Sequence, residues 1–285
     1  MWSVWSVAAE AVPFKPFFQE ADVEILVCAR RVPDTSENEI QLNQVGNDIE
    51  RDDLVYSINE PDNYAVEEAL QIAARTGGKV TVATVGNEED EEILRREMAM
   101  GAHQGVLLSD DTFSSSDARG IATVLKGYVQ KEKFDLILTG VQAEDGGAQV
   151  GGMLAAMLDY PFASLVNSIE VIEGNKLKVG REIEGGSREV NEIDLPCVLS
   201  IQTGINEPRY VGMRGIRQVA SLEIPTYGAA DLGIDAGSVG ETGAKVKRQD
   251  YFVPAPGKGA EILEGSSEEI ADKLIELIKA KGGLQ

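Results

Sequence analysis

The sequence predicts an α/β fold: a doubly wound, mostly parallel sheet with a small antiparallel meander and a C-terminal arm that ends in a helix. Three observations predict it. Apolar runs of strand length occur at 24–30 (EILVCAR), 79–85 (KVTVATV), 105–110 (GVLLSD) and 134–140 (FDLILTG). Helix-like segments lie between them at 62–76, 88–100 and 116–131, and strands that alternate with helices pair in parallel through right-handed crossovers. After Tyr160 the texture changes to alternating runs separated by Glu-Gly-Asn and Glu-Gly-Gly turns, the pattern of antiparallel hairpins.

The first 22 residues are aromatic and proline-broken, contain Glu10 and Glu20 and lack a basic start. They fit neither a secretory signal nor a transit peptide, so 1–22 is read as an appended, disordered extension. The 62–76 helix closes on Gly77-Gly78, where a positive φ is needed. The 88–100 helix opens on five acidic residues, which suit the positive end of the helix dipole, and closes on Gly101. The fourth strand runs through TGVQAEDGGAQVGG (139–152) into a helix that contains MLAAML (153–158), and LPCVLSIQT (195–203) is placed back in the main sheet. These elements define an α/β domain over 23–224. From 225 to 264 the chain is rich in Gly, Ala and Pro and has too few large apolar residues for a core of its own. It ends in an amphipathic helix, 266–281, whose Ile270, Leu274, Ile275, Leu277 and Ile278 fall near one face. Residues 225–285 are read as an arm lying on another surface, with packing back on its own domain as the alternative.

The chain has 285 residues and a net charge of −22. That field repels nucleic acid and anionic membrane surfaces, so nucleic acid is excluded as a partner. No run of 18 apolar residues occurs, so the chain is not expected to span a membrane. Cys28 and Cys197 are far apart, without the spacing of a zinc or disulfide framework, which points to a reducing, cytoplasmic setting and no metal. His103 is the only histidine and has no nucleophile motif beside it. It is read as a solvent-facing residue at a helix end, and no catalytic residue is assigned.

In a doubly wound sheet, ligands bind at the carboxyl ends of the strands where the winding reverses. Three loops are candidates: RRVPDTSEN (30–38), the stretch SINEPDNYAVEEAL (57–70) and GVQAEDGGAQVGG (140–152). The last is neither a Walker loop nor a GxGxxG fingerprint. Gly146 and Gly147 nevertheless admit close backbone approach to an anion, and Gln149 to Gly151 fall in a first helical turn, where free N–H groups favour phosphate. From the residues alone a structural turn is equally open. Asp145 is read as a helix cap, and Glu144 as a ribose ligand or a solvated side chain.

The stretches VPDT, NYAVEEAL, AMGAHQGVLL, DLILTGVQA, LPCVLSIQTGINEPRY and MRGIRQVA closely resemble the beta subunit of electron transfer flavoprotein, across roughly residues 24 to 282. The resemblance implies a Rossmann-like, adenine-nucleotide-binding subunit in a heterodimer whose alpha subunit carries the redox FAD. In the common form the beta subunit holds AMP without a redox role; in electron-bifurcating forms it holds a second FAD that takes a hydride from NADH. Carried over by position, the nucleotide pocket comprises Cys28, Asn59, Glu60, Pro61, Asp62, Val85, Gly140, Val141, Gln142, Ala143, Glu144, Asp145, Gly146, Gly147, Ala148, Gln149, Val150 and Gly151. GINEPRY matches the loop that docks dehydrogenase partners, with Ile205 as apolar anchor and Asn206, Glu207, Pro208, Arg209 and Tyr210 as its surround. A buried isoleucine at a strand end is the other reading of Ile205.

This chain departs from the family pattern in two places. Where AMP-type members often carry an aromatic pair facing the alpha-subunit flavin, it has Thr35 and Pro61, and Asp62-Asn63-Tyr64 looks like the bifurcating or nitrogen-fixation-linked branches. Those branches usually show Asp-Gly-Asp-Thr-Ala-Gln-Val-Gly in the phosphate loop, whereas the loop here, Glu144 to Gly151, lacks the threonine. Fewer donors suit a monophosphate better than a diphosphate. The expectation is an electron carrier that binds AMP, supports the alpha subunit through its arm, and accepts electrons from acyl-CoA dehydrogenase-like flavoenzymes of fatty acid beta-oxidation for a quinone oxidoreductase. The alternatives are a bifurcating subunit with its own FAD and a non-redox nucleotide-binding protein.

Overall fold

The computed structural model describes residues 22–143, 146–255, 257 and 259–283. In chain order the elements are β1 (Glu24–Cys28), β2 (Arg31–Pro33), β3 (Tyr56–Ile58), α1 (Glu60–Thr76), β4 (Lys79–Val85), α2 (Glu91–Met100), β5 (Gln104–Leu108), α3 (Ala118–Lys131), β6 (Leu136–Gly140) and α4 (Val150–Leu158). There follow β7 (Phe162–Ile172), β8 (Lys176–Ile183), β9 (Ser187–Asp194), β10 (Cys197–Ile201), α5 (Met213–Val219), β11 (Thr226–Tyr227), α6 (Gly240–Gly243) and α7 (Ser267–Ala280).

Among the described residues, nine strands form one sheet in the order β11-β5-β4-β1-β6-β10-β7-β8-β9. It is parallel from β11 to β7 and antiparallel through the meander β7-β8-β9. β10 rejoins the main sheet between β6 and β7, as its apolar run predicts. Alternate residues of β1 divide the core: Ile25 and Val27 pack with α1 and α2, Leu26 with α3 and α4. The sheet is thus covered on both faces, which is why its central strands read as unbroken apolar runs.

Helix starts follow capping chemistry. α1 begins two residues before the pattern indicates, because Pro61 fits the first turn. The acidic run at 88–92 divides: Asn87 and Asp90 form a reciprocal capping box around a short 3-10 turn, and α2 begins after it. α7 opens on a similar box between Ser266 and Glu269. The antiparallel pair β2 and β3 was not apparent in the sequence, since three residues each are too few to show a period.

Two compact units are present. The larger takes the chain up to Ile40 and 51–247; the smaller takes 41–50 and 248 onward. Within the larger unit, β11 extends the sheet beside β5, and Ala229, Leu232 and Val239 are buried against the α3 side of the core. Asp110 Oδ2 accepts from the Ala229 N–H at 2.9 Å, and Asp117 Oδ2 accepts from Lys245 and Val246 at 2.6 and 3.1 Å. Residues 226–247 therefore pack back on the preceding domain, held by carboxylates that grip backbone as much as by apolar burial. In the smaller unit Leu42 bridges Ile49, the Tyr251 N–H donates to Gly46 O, and α7 leaves Leu274, Ile275, Leu277 and Ile278 exposed. No helix among the described residues is long and apolar enough to cross a membrane.

Candidate functional site

The winding reverses between β1 and β6. From β1 the chain moves outward through β4 to β5, then crosses back through α3 to β6 on the other side of β1. The two carboxyl ends lie in register, Cys28 beside Thr139, and the start of α1 fastens onto both. The Asn59 N–H donates to Arg30 O at 2.8 Å. Asp62 Oδ2 accepts the Arg30 N–H, and its Oδ1 accepts the Gly140 N–H, each at 2.9 Å. Asn59 does not cap its own helix; its Nδ2 donates to Gln142 O at 2.9 Å, in the loop beyond β6.

Both side chains are buried. Burial raises the Asp62 carboxyl to about 7, against the lowering effect of hydrogen bonds from Asn59, Gly140 and Arg30. Burial, with the Asp62 charge adding to it, pushes the Cys28 thiol well above its ordinary range. Gly140 is glycine for a steric reason: a Cβ there would stand 2.2 Å from Asp62 Oδ1.

The loop after β6 starts with the Val141 N–H bonded to Ile201 O at 2.9 Å, and Gly146 turns back on Ala143. Ala148 has a φ of +55°, and Gln149 follows in the right-handed region before α4 begins. A left-handed residue followed by a right-handed one turns successive N–H groups to one side, a shape that suits anions. Gln149 makes no side-chain capping hydrogen bond, so the first amides of α4 carry the positive end of the dipole without a cap from that residue. Beneath them Thr139 Oγ1 and Ser200 Oγ lie 3.0 Å apart, and a Cβ on Gly151 would stand 2.8 and 2.6 Å from them. Only glycine lets the helix come this close to the sheet.

Of the residues predicted for the pocket, Cys28, Asn59, Asp62, Gly140 and Gln142 meet at the β1 and β6 ends. Val85 closes β4 next to β1. Glu60 is exposed and Pro61 half-buried in the first turn of α1, and Ala143, Gly146, Gly147, Ala148, Gln149, Val150 and Gly151 form the loop and helix start. Glu144 and Asp145 lie outside the described residues.

The second predicted segment is strapped to α1. Arg209 donates through Nε and Nη2 to the two carboxylate oxygens of Glu67, at 2.7 and 2.9 Å. Asn206 Nδ2 donates to Tyr64 O and Glu68 Oε2 at 3.1 and 3.0 Å. Burial raises Glu67, but bonds from Arg209 and Gln71 outweigh it and hold the carboxyl below its ordinary range. Ile205 is half-buried against the core, Glu207 is exposed and Pro208 half-buried. Tyr210 is 93% exposed and Met213 65%. Glu67 and Glu68, both buried, were missed as site residues, because adjacent acids on an amphipathic helix read as part of its solvent face. His103 is exposed, with Nδ1 accepting the Val80 N–H at 3.1 Å.

Fold and site together define a doubly wound α/β subunit with an anion-suited crevice at its switch point. A model of the electron transfer flavoprotein domain matches residues 47–232. The chain is 35% identical over 260 residues to the electron transfer flavoprotein subunit beta of Methylophilus methylotrophus, covering 90% of this chain and 98% of that protein. It is also 35% identical to the subunit beta of Thermoanaerobacterium thermosaccharolyticum, covering 91% and 99%. The same identity and coverage hold for subunit CarD of the caffeyl-CoA reductase-Etf complex of Acetobacterium woodii. The chain belongs to the electron transfer flavoprotein beta-subunit family.

Proposed function

We propose that the chain is the beta subunit of a cytoplasmic heterodimer whose alpha subunit carries FAD, and that it binds AMP in the crevice between β1 and β6. The observation that carries this reading is the α4 start: Gln149 makes no side-chain capping bond to its N–H groups, Ala148 is left-handed, and Gly151 leaves no room for a side chain. These backbone donors fit a single phosphate at a helix N-terminus. AMP supplies no redox chemistry; the electron is carried by the flavin of the alpha subunit, which the protein positions and tunes. Asn59 and Asp62 hold the crevice walls, and the α7 face supplies apolar surface for the alpha subunit. The strapped loop at 205–210 is presented to acyl-CoA dehydrogenase-type donors, with a quinone oxidoreductase as acceptor.

A second reading places FAD in this crevice and oxidises NADH. The likeness to a subunit of the caffeyl-CoA reductase-Etf complex, together with Thr35 and Pro61 in place of an aromatic pair, favours it. Purifying the two subunits together and identifying the released nucleotides decides between them. One FAD and one AMP per heterodimer is the expected result; two FAD, with bleaching of flavin absorbance by NADH, overturns the AMP reading.

A further inference from the structure

Asp62 is bonded in a way that sets it apart from the other crevice residues. Its two oxygens take one backbone N–H from each wall of the crevice: Arg30 beyond β1 and Gly140 at the end of β6, both at 2.9 Å. The residue is 5% exposed and the Asn59 side chain also bonds its carboxyl, so little of the carboxylate faces the opening. Resemblance alone made Asp62 a ligand-contacting residue; its geometry is that of a spacer.

We propose that Asp62 is a positioning residue, whose buried carboxylate fixes the separation of the β1 and β6 ends and thereby the width of the nucleotide crevice, without touching the ligand. The inference rests on the nucleotide reading above.

Three features support it. First, the clamp is specific to a carboxylate, because it needs two acceptors at one short side chain. An amide of the same shape presents an N–H to one of the two backbone donors. Second, Gly140 is shaped to it, since any side chain there collides with Asp62 Oδ1. Third, Asn59 ties to Gln142 O on the same wall through a group that does not itself titrate, and its side chain also bonds the Asp62 carboxyl, so the second tie supports the first.

The clamp is also sensitive to protons. Burial holds the Asp62 carboxyl at about 7, and hydrogen bonds to a carboxylate are roughly twice as strong as those to a neutral group. The charged or titratable groups facing it are Cys28 on β1, Arg30 just after that strand, and Glu97 on α2. β6 carries no titratable side chain. Protonation near neutrality loosens the hold on both walls, so nucleotide affinity is expected to fall as pH drops from 8 to 6.

The test is calorimetric titration of AMP into the full chain, in parent, Asp62→Asn and Asn59→Ala forms, at several pH values between 6 and 8.5. Thermal unfolding of each protein reports whether it is folded. The parent is expected to bind more weakly at low pH. Asp62→Asn is expected to bind about tenfold or more weakly at pH 8 and to lose the part of the pH profile that the parent shows beyond the titration of the phosphate. Asn59→Ala is expected to weaken AMP and to keep a pH-dependent profile displaced to higher pH, because the Asn59 bond lowers the Asp62 carboxyl. Asp62→Asn with parent affinity, or with a parent-like profile, overturns the proposal. Affinity that rises as pH falls in the parent but not in Asp62→Asn also overturns it, because it makes Asp62 a charge felt by the phosphate. If the parent itself does not take AMP, the nucleotide reading fails instead.

Discussion

Glu97 offers a large stability change at a single side chain. It lies on α2 with no solvent exposure, and neither carboxyl oxygen has a hydrogen-bond partner among the described residues. Burial raises its carboxyl to about 8, with Arg96 opposing and Asp62 adding to the rise. The unfolded chain releases this proton near 4.5, so it gains ionisation free energy over a window in which the folded chain gains none. Stability from this group is therefore complete below pH 4.5, declines as pH rises, and levels off above about 8. At 1.36 kcal/mol per pH unit the full decline is of order 5 kcal/mol, of which about 3 kcal/mol applies at pH 7.

Glu97→Met keeps the length of the side chain and removes both unpaired oxygens. The variant is expected to be more stable by about 3 kcal/mol at pH 7, a rise in Tm of roughly 5–10 °C for a chain of this size. The gain should shrink to about 1 kcal/mol at pH 5 and grow towards 5 kcal/mol at pH 9. Urea unfolding of parent and variant at the three pH values measures it. Asp62 titrates in a similar range, so the diagnostic quantity is the difference between the two proteins. A gain that does not change with pH, or a variant less stable than the parent at every pH, refutes the reasoning.

Three other outcomes follow from the contacts. Gly151→Ala pushes a methyl onto Ser200 and Thr139 and is expected to cost about 1–3 kcal/mol in urea unfolding. Adding Ser200→Ala should return part of that loss, whereas simple addition of two losses would place the clash elsewhere. Glu67→Gln weakens the fork with Arg209 and should speed amide hydrogen exchange in the 205–210 segment by about tenfold, corresponding to ~1.4 kcal/mol; unchanged exchange would show that Asn206 alone holds the loop. On the proposed docking role, Ile205→Ala is expected to slow reduction of the heterodimer by an acyl-CoA dehydrogenase-type donor while flavin content stays the same. Because Tyr210 is far more exposed, Tyr210→Ala belongs in the same assay, and parent rates for Ile205→Ala with slow rates for Tyr210→Ala would move the anchor to Tyr210.

Much of the site was legible where local chemistry decides. The glycines at 146 to 151 marked a strand that enters a helix by close approach, and the switch-point rule directed attention to that end of the sheet. What stayed hidden depends on residues distant in sequence. Asp62 reads as an ordinary first-turn acid, and its contact with Gly140 spans 78 positions. Glu67 and Arg209 are 142 positions apart, so no window of sequence shows that a helical acid straps a loop. Residues 226–247 read as an arm because apolar residues are few, whereas Asp110, Ser116 and Asp117 hold that stretch by its backbone, which side-chain composition does not register.

By itself the sequence determined the alternation of strands and helices, the antiparallel meander, the return of β10 to the sheet and the family. These follow from periodicity, turn residues and short motifs, all of them local in the chain. Only the tertiary structure decided which polar groups are buried and paired: the two-walled hold of Asp62, the strap on Glu67 and Glu68, the buried Glu97 with no hydrogen-bond partner among the described residues, and a half-buried Ile205 beside an exposed Tyr210. The physical reason is that the cost of a buried charge, and the bonds that offset it, depend on which segments meet in space.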